Sequence, residues 1–282
     1  MHERVSAARA RLRGAGLAAR EAELDARLLA QFALGWDAAR FATSAHEQEP
    51  DQFSAVYETL VSRRERREPL AYITGHREFW GLEIEVSRAV LIPRPETELI
   101  LEQALPRFAD RDAAIDIADV GTGSGCLAVA LAHERPRSRV AAIDVAEPAL
   151  DVARRNAHRH AVSDRIEFVR GDLLDGVDRR FDLIVSNPPY VPLRDRATLQ
   201  PEVRDHEPAA ALFAGDDGLS VIRRLVAQSV TRLKAGGVLI FEFGYGQAAA
   251  ISELIDRTDG LGLLELVNDL QGIPRVVVAI RL

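Results

Sequence analysis

The 282-residue chain reads as an α/β protein: a parallel sheet covered by helices on both faces, preceded by a small helical module. Three observations predict this. From residue 115 onward, short apolar runs alternate with helical patterns, as strands buried on both faces do. Residues 1 to about 73 carry helical periodicity alone. The change of pattern falls just after Gly75.

Within the first part, Glu21–Leu34 carries Leu24, Leu28, Phe32 and Leu34 and stops at Gly35. Asp37 is placed to cap a short helix through Phe41. Asp51–Arg67 spaces Phe53, Val56, Tyr57, Leu60 and Val61 as one buried face. Its other face gathers Arg63, Arg64, Arg66 and Arg67 among Glu65 and Glu68, which reads as a solvated helix end, where cations are favoured. Ala7–Arg20 is rich in Arg and Ala, as transit peptides are, but its helical pattern continues into the next helix and is read as such.

Beyond Gly75, Phe79, Leu82, Ile84 and Val86 predict an extended segment, and Val90, Leu91 and Ile92 a second strand, so that 74–94 forms a hairpin-like linker. Pro93 and Pro95 break the chain, and Glu96 opens a helix to about Leu105. Strands are then expected at Ile115–Val120, Val140–Ile143, Ile166–Val169, Phe181–Val185 and Val238–Phe243, with helices between them, notably Cys126–His133 and Pro148–His160. A helix near Gln247–Asp256 and strands near Leu261–Val267 and Arg275–Ile280 follow. The predicted domains are therefore 1–73 (helical), 74–94 (linker) and 95–282 (α/β).

Composition excludes several classes. Charged residues make up 28% and hydrophobic ones 47%, which argues against a disordered or collagen-like chain. Cys126 is the only cysteine, so intrachain disulfides and multi-cysteine metal sites are excluded, and a reducing, cytoplasmic compartment fits. No apolar stretch approaches the roughly 18 residues of a membrane span. The net charge of −7 disfavours a strong nonspecific grip on nucleic acid. Residues 1–73 hold 11 basic and 11 acidic residues, so the negative charge sits in the second part. Lys234 is the only lysine beside 35 arginines, a bias of composition.

The first candidate site is Asp119-Val120-Gly121-Thr122-Gly123-Ser124-Gly125, between a strand and a helix. Glycines there allow a tight turn and close approach of a ligand to the main chain. Asp144, at the next strand end and 23 residues after Gly121, can accept hydrogen bonds from two ribose hydroxyls. Together they point to an adenosine-containing cofactor. The spacing G-x-G-x-G departs from the dinucleotide pattern G-x-G-x-x-G, and the lysine of a phosphate-binding P-loop is missing. S-adenosylmethionine, which has no phosphate, needs only close passage of the backbone, and Asp119 could hold its methionine ammonium. Asp172, after the third strand, can reach an adenine amino group with Leu173 against the ring, although a helix cap explains Asp172 equally well.

The second site is Asn187-Pro188-Pro189-Tyr190, at the end of the fourth strand. Two prolines make a rigid turn with exposed carbonyls at the sheet edge where ligands bind. The Asn187 side-chain carbonyl and the Pro188 main-chain carbonyl could accept both N–H bonds of a planar NH₂ group, with Tyr190 packed over its plane. Such a clamp suits methylation of an amide or exocyclic amine, whose delocalised lone pair makes the nitrogen a poor nucleophile.

On these residues the chain resembles the peptide chain release factor N(5)-glutamine methyltransferases, the PrmC/HemK family. The resemblance covers nearly the whole length and includes Glu68–Gly75, Phe79-Trp80, Leu91–Glu98, Gly121–Gly125, Asn187–Tyr190, Glu202–Pro208, and Asp269-Leu270 with Arg275. It implies a class I S-adenosylmethionine-dependent methyltransferase fold: a seven-stranded, mostly parallel sheet with its last strand antiparallel. It also implies cofactor contacts at Gly121–Gly125, Asp144 and Asn187. The substrate glutamine would sit at Asn187, Pro188, Pro189 and Tyr190, within the Gly-Gly-Gln loop of bacterial class I release factors. Family members can carry an aromatic residue at the adenine position, where this chain has Leu173.

Three other readings are weaker. A nucleic-acid amine methyltransferase would share Asn-Pro-Pro-Tyr but would usually need a basic surface, and the α/β part is acidic. A non-catalytic adapter that binds S-adenosylmethionine would not need an intact clamp. An NAD-dependent enzyme is disfavoured by the glycine spacing. His158 and His160 are two apart and point to different helix faces, so no metal site is expected from them. Cys126 reads as a packing residue, His206 as a loop residue near the site, and Glu242 as a strand-end acid without an assigned role.

Overall fold

The computed structural model describes residues 1–44, 49–108 and 110–282. The part of the helical reading that covers 45–48 lies outside the described residues. The chain divides into two compact units, Met1–Gly75 with Gln200–His206, and His76–Leu199 with Glu207–Leu282.

The first unit is helical: α1 His2–Gly14, α2 Ala19–Leu34, α3 Ala38–Ser44, α4 Phe53–Glu65, α5 Leu70–Thr74, and the short α9 Pro201–His206. Gly35 ends α2 in the left-handed conformation, with φ +63°. The Asp37 carboxylate caps α3 by accepting a 2.7 Å hydrogen bond from the Arg40 amide. Leu12, Leu29, Phe53, Tyr57 and Val61 form the core, where Phe53 and Tyr57 stack at 5.2 Å and the Tyr57 hydroxyl donates to the Ala26 carbonyl. The buried stripe of α2 runs through Ala22, Ala26, Leu29 and Ala30, which leaves Leu24 and Phe32 each 43% exposed. On α4, Phe53, Tyr57, Leu60 and Val61 are buried as expected, while Val56 is exposed.

The arginine end of α4 is not a solvated face. The Arg64 side chain is only 2% exposed. Its guanidinium donates to Asp25 at 2.6 Å, Glu21 at 2.7 Å and Glu202 at 2.9 Å. Arg67 takes the other oxygen of Glu202 at 2.7 Å, and Arg63 binds Glu68 through two hydrogen bonds. Burial raises the Asp25 pKa even against the pull of Arg64. The partners lie at positions 21, 25 and 202, far from Arg64 in sequence, so local charge patterning misses them. This ion cluster draws α9 into the helical unit.

The second unit opens with a hairpin, β1 His76–Phe79 and β2 Leu82–Glu85. Trp80 and Gly81 both have positive φ (54° and 72°), the backbone of a type I′ turn, so the reversal comes at 80–81. Val90–Ile92 is therefore no strand, although Val90 and Ile92 are buried. The hairpin clusters with the sheet unit and is pinned to it by Asn156, which exchanges hydrogen bonds with the Glu85 main chain.

The remaining elements are α6 Glu98–Arg107, β3 Asp116–Val120, α7 Cys126–Glu134, β4 Arg139–Asp144, α8 Glu147–Arg159, β5 Ile166–Arg170, β6 Phe181–Ser186, α10 Ser220–Arg232, β7 Leu233–Glu242, α11 Ala248–Asp256, β8 Leu261–Asn268 and β9 Pro274–Arg281. The sheet order is β5-β4-β3-β6-β7-β9-β8. Strands β3 to β7 pair in parallel, and the last strand, β9, inserts antiparallel between β7 and β8. The alternation of strand and helix reproduces the predicted class. Helix α10 was not singled out by sequence, although its buried Ile222, Leu225, Val226 and Ser229 have helical spacing.

Replacing Arg64 by Ala leaves Asp25 buried and unpaired. We expect it to lower the stability of the helical unit by about 3–5 kcal/mol, the usual cost of breaking a buried pair. Urea unfolding followed by Trp36 fluorescence, in a Trp80→Phe background, checks this; an unchanged midpoint would contradict it.

Candidate active site

Parallel order and register bring the loops after β3, β4, β5 and β6 to one edge of the sheet. Val120 pairs with Ile143 on one side and Ser186 on the other, so Gly121, Asp144 and Asn187 leave the sheet at one level. The amides of Gly121 and Thr122 both donate to the Ile143 carbonyl, at 2.8 and 2.9 Å, which lashes the loop to β4. Gly121, Gly123 and Gly125 have φ of +72°, +54° and +78°. At Gly125 space is also short: a Cβ there would lie 2.9 Å from that of Ala153, so glycine permits α7 and α8 to approach.

A cavity of about 220 Å³ opens above this edge. Asp144 stands in its wall, accepting from the Gly123 amide on Oδ2 and the Ala146 amide on Oδ1, both at 2.9 Å. Each carboxylate oxygen can accept a further bond, so two hydroxyls can still be held. Burial raises the pKa of Asp144. Asp119 also lines the cavity; its Oδ2 accepts from Thr122 Oγ1 at 2.6 Å and the Ala128 amide at 3.0 Å. Its Oδ1 is buried with no hydrogen-bond partner among the described residues, and burial pushes its pKa up to about 7. An orphaned buried acceptor of this kind fits the ammonium of an amino acid moiety.

Of the other expected residues, Gly121, Thr122, Gly123, Ser124, Asp172, Leu173, Asn187 and Pro189 line the same cavity, whereas Gly125, Pro188 and Tyr190 do not. Pro188 is buried. Asp172 is exposed and accepts from Arg224 at 2.7 Å, so its carboxylate is partnered before any adenine contact. Leu173 holds the left-handed conformation, φ +57°, and packs on the core.

The turn at Asn187 is held by a group without an assigned role in the sequence reading. Glu242, at the end of β7, is 2% exposed. Its Oε1 accepts from the Tyr190 hydroxyl at 2.8 Å and its Oε2 from Thr97 Oγ1 at 2.6 Å. Thr97 Oγ1 accepts in turn from Asn187 Nδ2 at 2.9 Å. Burial raises the pKa of both Glu242 and Tyr190. The Tyr190 carbonyl is fixed too: Gln247 donates to it at 3.0 Å, and at Gly218 a Cβ would come within 2.2 Å of it.

Sequence reasoning also missed the roof. Val90, Leu91 and Pro93 line the cavity with Pro208, Ala210 and Ala211. Glu207 joins the two segments, accepting from the Ile92 amide at 3.3 Å and Arg94 at 2.5 Å. The signal was present in the motifs around Pro93–Glu98 and Glu207-Pro208, but their meeting is long-range. His206 does not line the cavity; it ends α9 in the helical unit, near the Arg66 carbonyl. Cys126 is buried, with its thiol pushed up to about 12. His158 is exposed and His160 meets the Glu83 carbonyl; among the described residues no cluster has the makings of a metal site.

The fold and this constellation define a class I methyltransferase that uses S-adenosylmethionine. The Methyltransferase small domain family matches residues 97–202 and the PrmC N-terminal domain family residues 3–75. The chain is 43% identical over 258 residues, 90% of each chain, to the release factor glutamine methyltransferase of Koribacter versatilis. It is 43% identical over 272 residues, 96% of this chain and 91% of the other, to that of Bradyrhizobium diazoefficiens. A methyltransferase structure from Pyrococcus furiosus shares the fold, with a TM-score of 0.52 and 18% identity over 78% of this chain and 98% of that one. The chain belongs to the release factor glutamine methyltransferase family.

The pKa of Asp119 bears on cofactor binding. An acid raised to about 7 is protonated in the free protein below that pH, and a bound ammonium favours its ionised form. S-adenosylmethionine affinity should therefore rise with pH up to about 7, by as much as tenfold per unit for one released proton. Calorimetry at about pH 5.5 and 6.5 checks this, and Asp119→Asn should flatten the dependence. An equal slope in that variant would remove Asp119 from the cofactor site.

Proposed function

We propose that this protein transfers a methyl group from S-adenosylmethionine to the side-chain amide nitrogen, N5, of the glutamine in the Gly-Gly-Gln motif of bacterial class I peptide chain release factors, in the cytoplasm. The observation that carries this reading is Asn187, which lines the same cavity as Asp119 and Asp144 while its amino group is taken by Thr97. Its carbonyl oxygen is left as an acceptor for an N–H of the incoming amide, and the Pro188 carbonyl is assigned the second N–H. S-adenosylmethionine supplies, when bound, an electrophilic methyl on a sulfonium centre. Asp119 holds its ammonium and Asp144 its ribose hydroxyls, with Gly121–Gly125 passing beside the methionine part and Leu173 walling the adenine.

The chain's own residues then do three things. The clamp orients the nitrogen, which replaces a large entropic cost. Its two carbonyl oxygens stabilise positive charge as it develops on the N–H bonds, so those protons acidify and no strong base is required beforehand. The apolar wall of Val90, Leu91, Pro93, Pro208 and Ala211 excludes water from a poor nucleophile.

Incubation of the protein with labelled S-adenosylmethionine and a release factor, then mapping of the labelled residue, tests the reading. Label on the Gly-Gly-Gln glutamine is expected; label on nucleic acid alone would replace it with the exocyclic-amine reading. At saturating cofactor, Asn187→Ala should lower turnover by about 10²–10³-fold, the usual cost of one positioned polar group.

Specificity is assigned to the helical unit, because one glutamine carries little information and protein interfaces bury about 1,600 Å². Among the described residues of that unit, Leu24 and Phe32, two turns apart on α2, and Val56 on α4 are large apolar side chains left exposed. Leu24→Asp combined with Phe32→Asp should raise KM for the intact factor roughly tenfold or more, as loss of apolar interface contacts does. Cofactor affinity should not change; an unaltered KM would move recognition elsewhere.

A further inference from the structure

The Asn187 amide has nearly the same shape in both orientations about its terminal bond, so packing alone does not choose which atom faces the cavity. The choice matters. A substrate amide brings two N–H donors, and an Asn187 turned the other way would present donors to donors.

The chain Asn187–Thr97–Glu242 resolves it by counting protons. Thr97 has a single hydroxyl proton, and its oxygen lies 2.6 Å from Glu242 Oε2. A carboxylate can only accept, so that proton goes to Glu242. Thr97 Oγ1 is then an acceptor towards Asn187, 2.9 Å away, and only Nδ2 can serve it. The other Glu242 oxygen is occupied by the Tyr190 hydroxyl at 2.8 Å, so both hydroxyls donate inward to one charge. Thr97 and Glu242 are each 2% exposed, which leaves bulk water no part in the relay. In the reverse arrangement Thr97 would donate to Asn187, and with Glu242 ionised two oxygens would face each other at 2.6 Å without a proton.

We infer that Glu242, acting through Thr97, is a positioning element for catalysis: it sets the polarity of the Asn187 amide, so that Oδ1 and not Nδ2 meets the substrate nitrogen. The same carboxylate holds Tyr190 by its hydroxyl, so a single buried charge organises both side chains of the clamp. Neither Thr97 nor Glu242 needs to touch the reacting nitrogen. The inference rests on the amide-methylation reading.

The test is Thr97→Val, which keeps the shape and removes the hydroxyl. With wild-type protein methylating the release factor as control, turnover at saturating cofactor and factor should fall about 100-fold, the scale of a misplaced reacting group. KM for the factor and cofactor affinity should stay close to wild type. Thr97→Ser should restore most of the turnover, and in an Asn187→Ala background Thr97→Val should cost nothing further. Wild-type turnover in Thr97→Val, failure of Ser to restore it, or a full additional loss in the Asn187→Ala background would overturn the inference. If Thr97→Val does not fold, Glu242→Gln carries the test, since an amide cannot accept both hydroxyl protons: lost turnover with retained cofactor binding is expected, and wild-type turnover overturns it. Absence of methylation by the wild type would instead strike the functional reading.

Discussion

The buried carboxylate of Glu242 is the interaction on which the site depends. A charge so far from water is tolerable only when its oxygens are satisfied, and two hydroxyls from distant segments do this. Thr97 lies 145 residues before it and Tyr190 52 residues before it. Satisfying one charge therefore draws the Pro95–Thr97 turn, the Asn187–Tyr190 turn and the end of β7 to one point. The double proline stiffens the second of these, so fixing Tyr190 at its hydroxyl and its carbonyl fixes Asn187 as well.

The sheet supplies the other half of the geometry. With β3 between β4 and β6, the glycine loop has Asp144 on one side and Asn187 on the other. The register of Val120 with Ser186, reinforced by the Ser186 hydroxyl donating to the Val120 carbonyl at 2.7 Å, sets the two loops level. The glycine loop and Asn187 thus leave neighbouring strands, one strand spacing apart. Two carboxyl groups, Asp119 and Asp144, face the cavity on the β3–β4 side, and burial raises the pKa of both.

In the helical unit a different buried charge does comparable work. Arg64 gathers Glu21, Asp25 and Glu202, and through Glu202 the short α9 joins helices that precede it by more than 100 residues. Such a cluster adds little net stability over apolar packing, but it is costly to break and it specifies which segments come together. Leu24, Phe32 and Val56 remain outside the core of that unit.

Amino-acid order by itself determined whatever depends on near neighbours. The β3–β9 strands follow from apolar runs, α2 ends at Gly35 because glycine takes φ +63° readily, and the glycine loop and the Asn-Pro-Pro-Tyr turn were identified from local chemistry alone. The hairpin departs from the sequence expectation in its turn and in its second strand, because Trp80 is an unusual residue at positive φ, and Val90 and Leu91 are apolar as part of a cavity wall while Ile92 is buried. Periodicity likewise could not tell that alanines, not Leu24 and Phe32, line the buried stripe of α2, since that depends on how closely the neighbouring helices approach. The tertiary structure alone decided the roles of Arg64, Thr97 and Glu242. Their meaning lies in partners that adjacent sequence does not contain, and burial makes each unpaired charge so costly that the chain must bring those partners together.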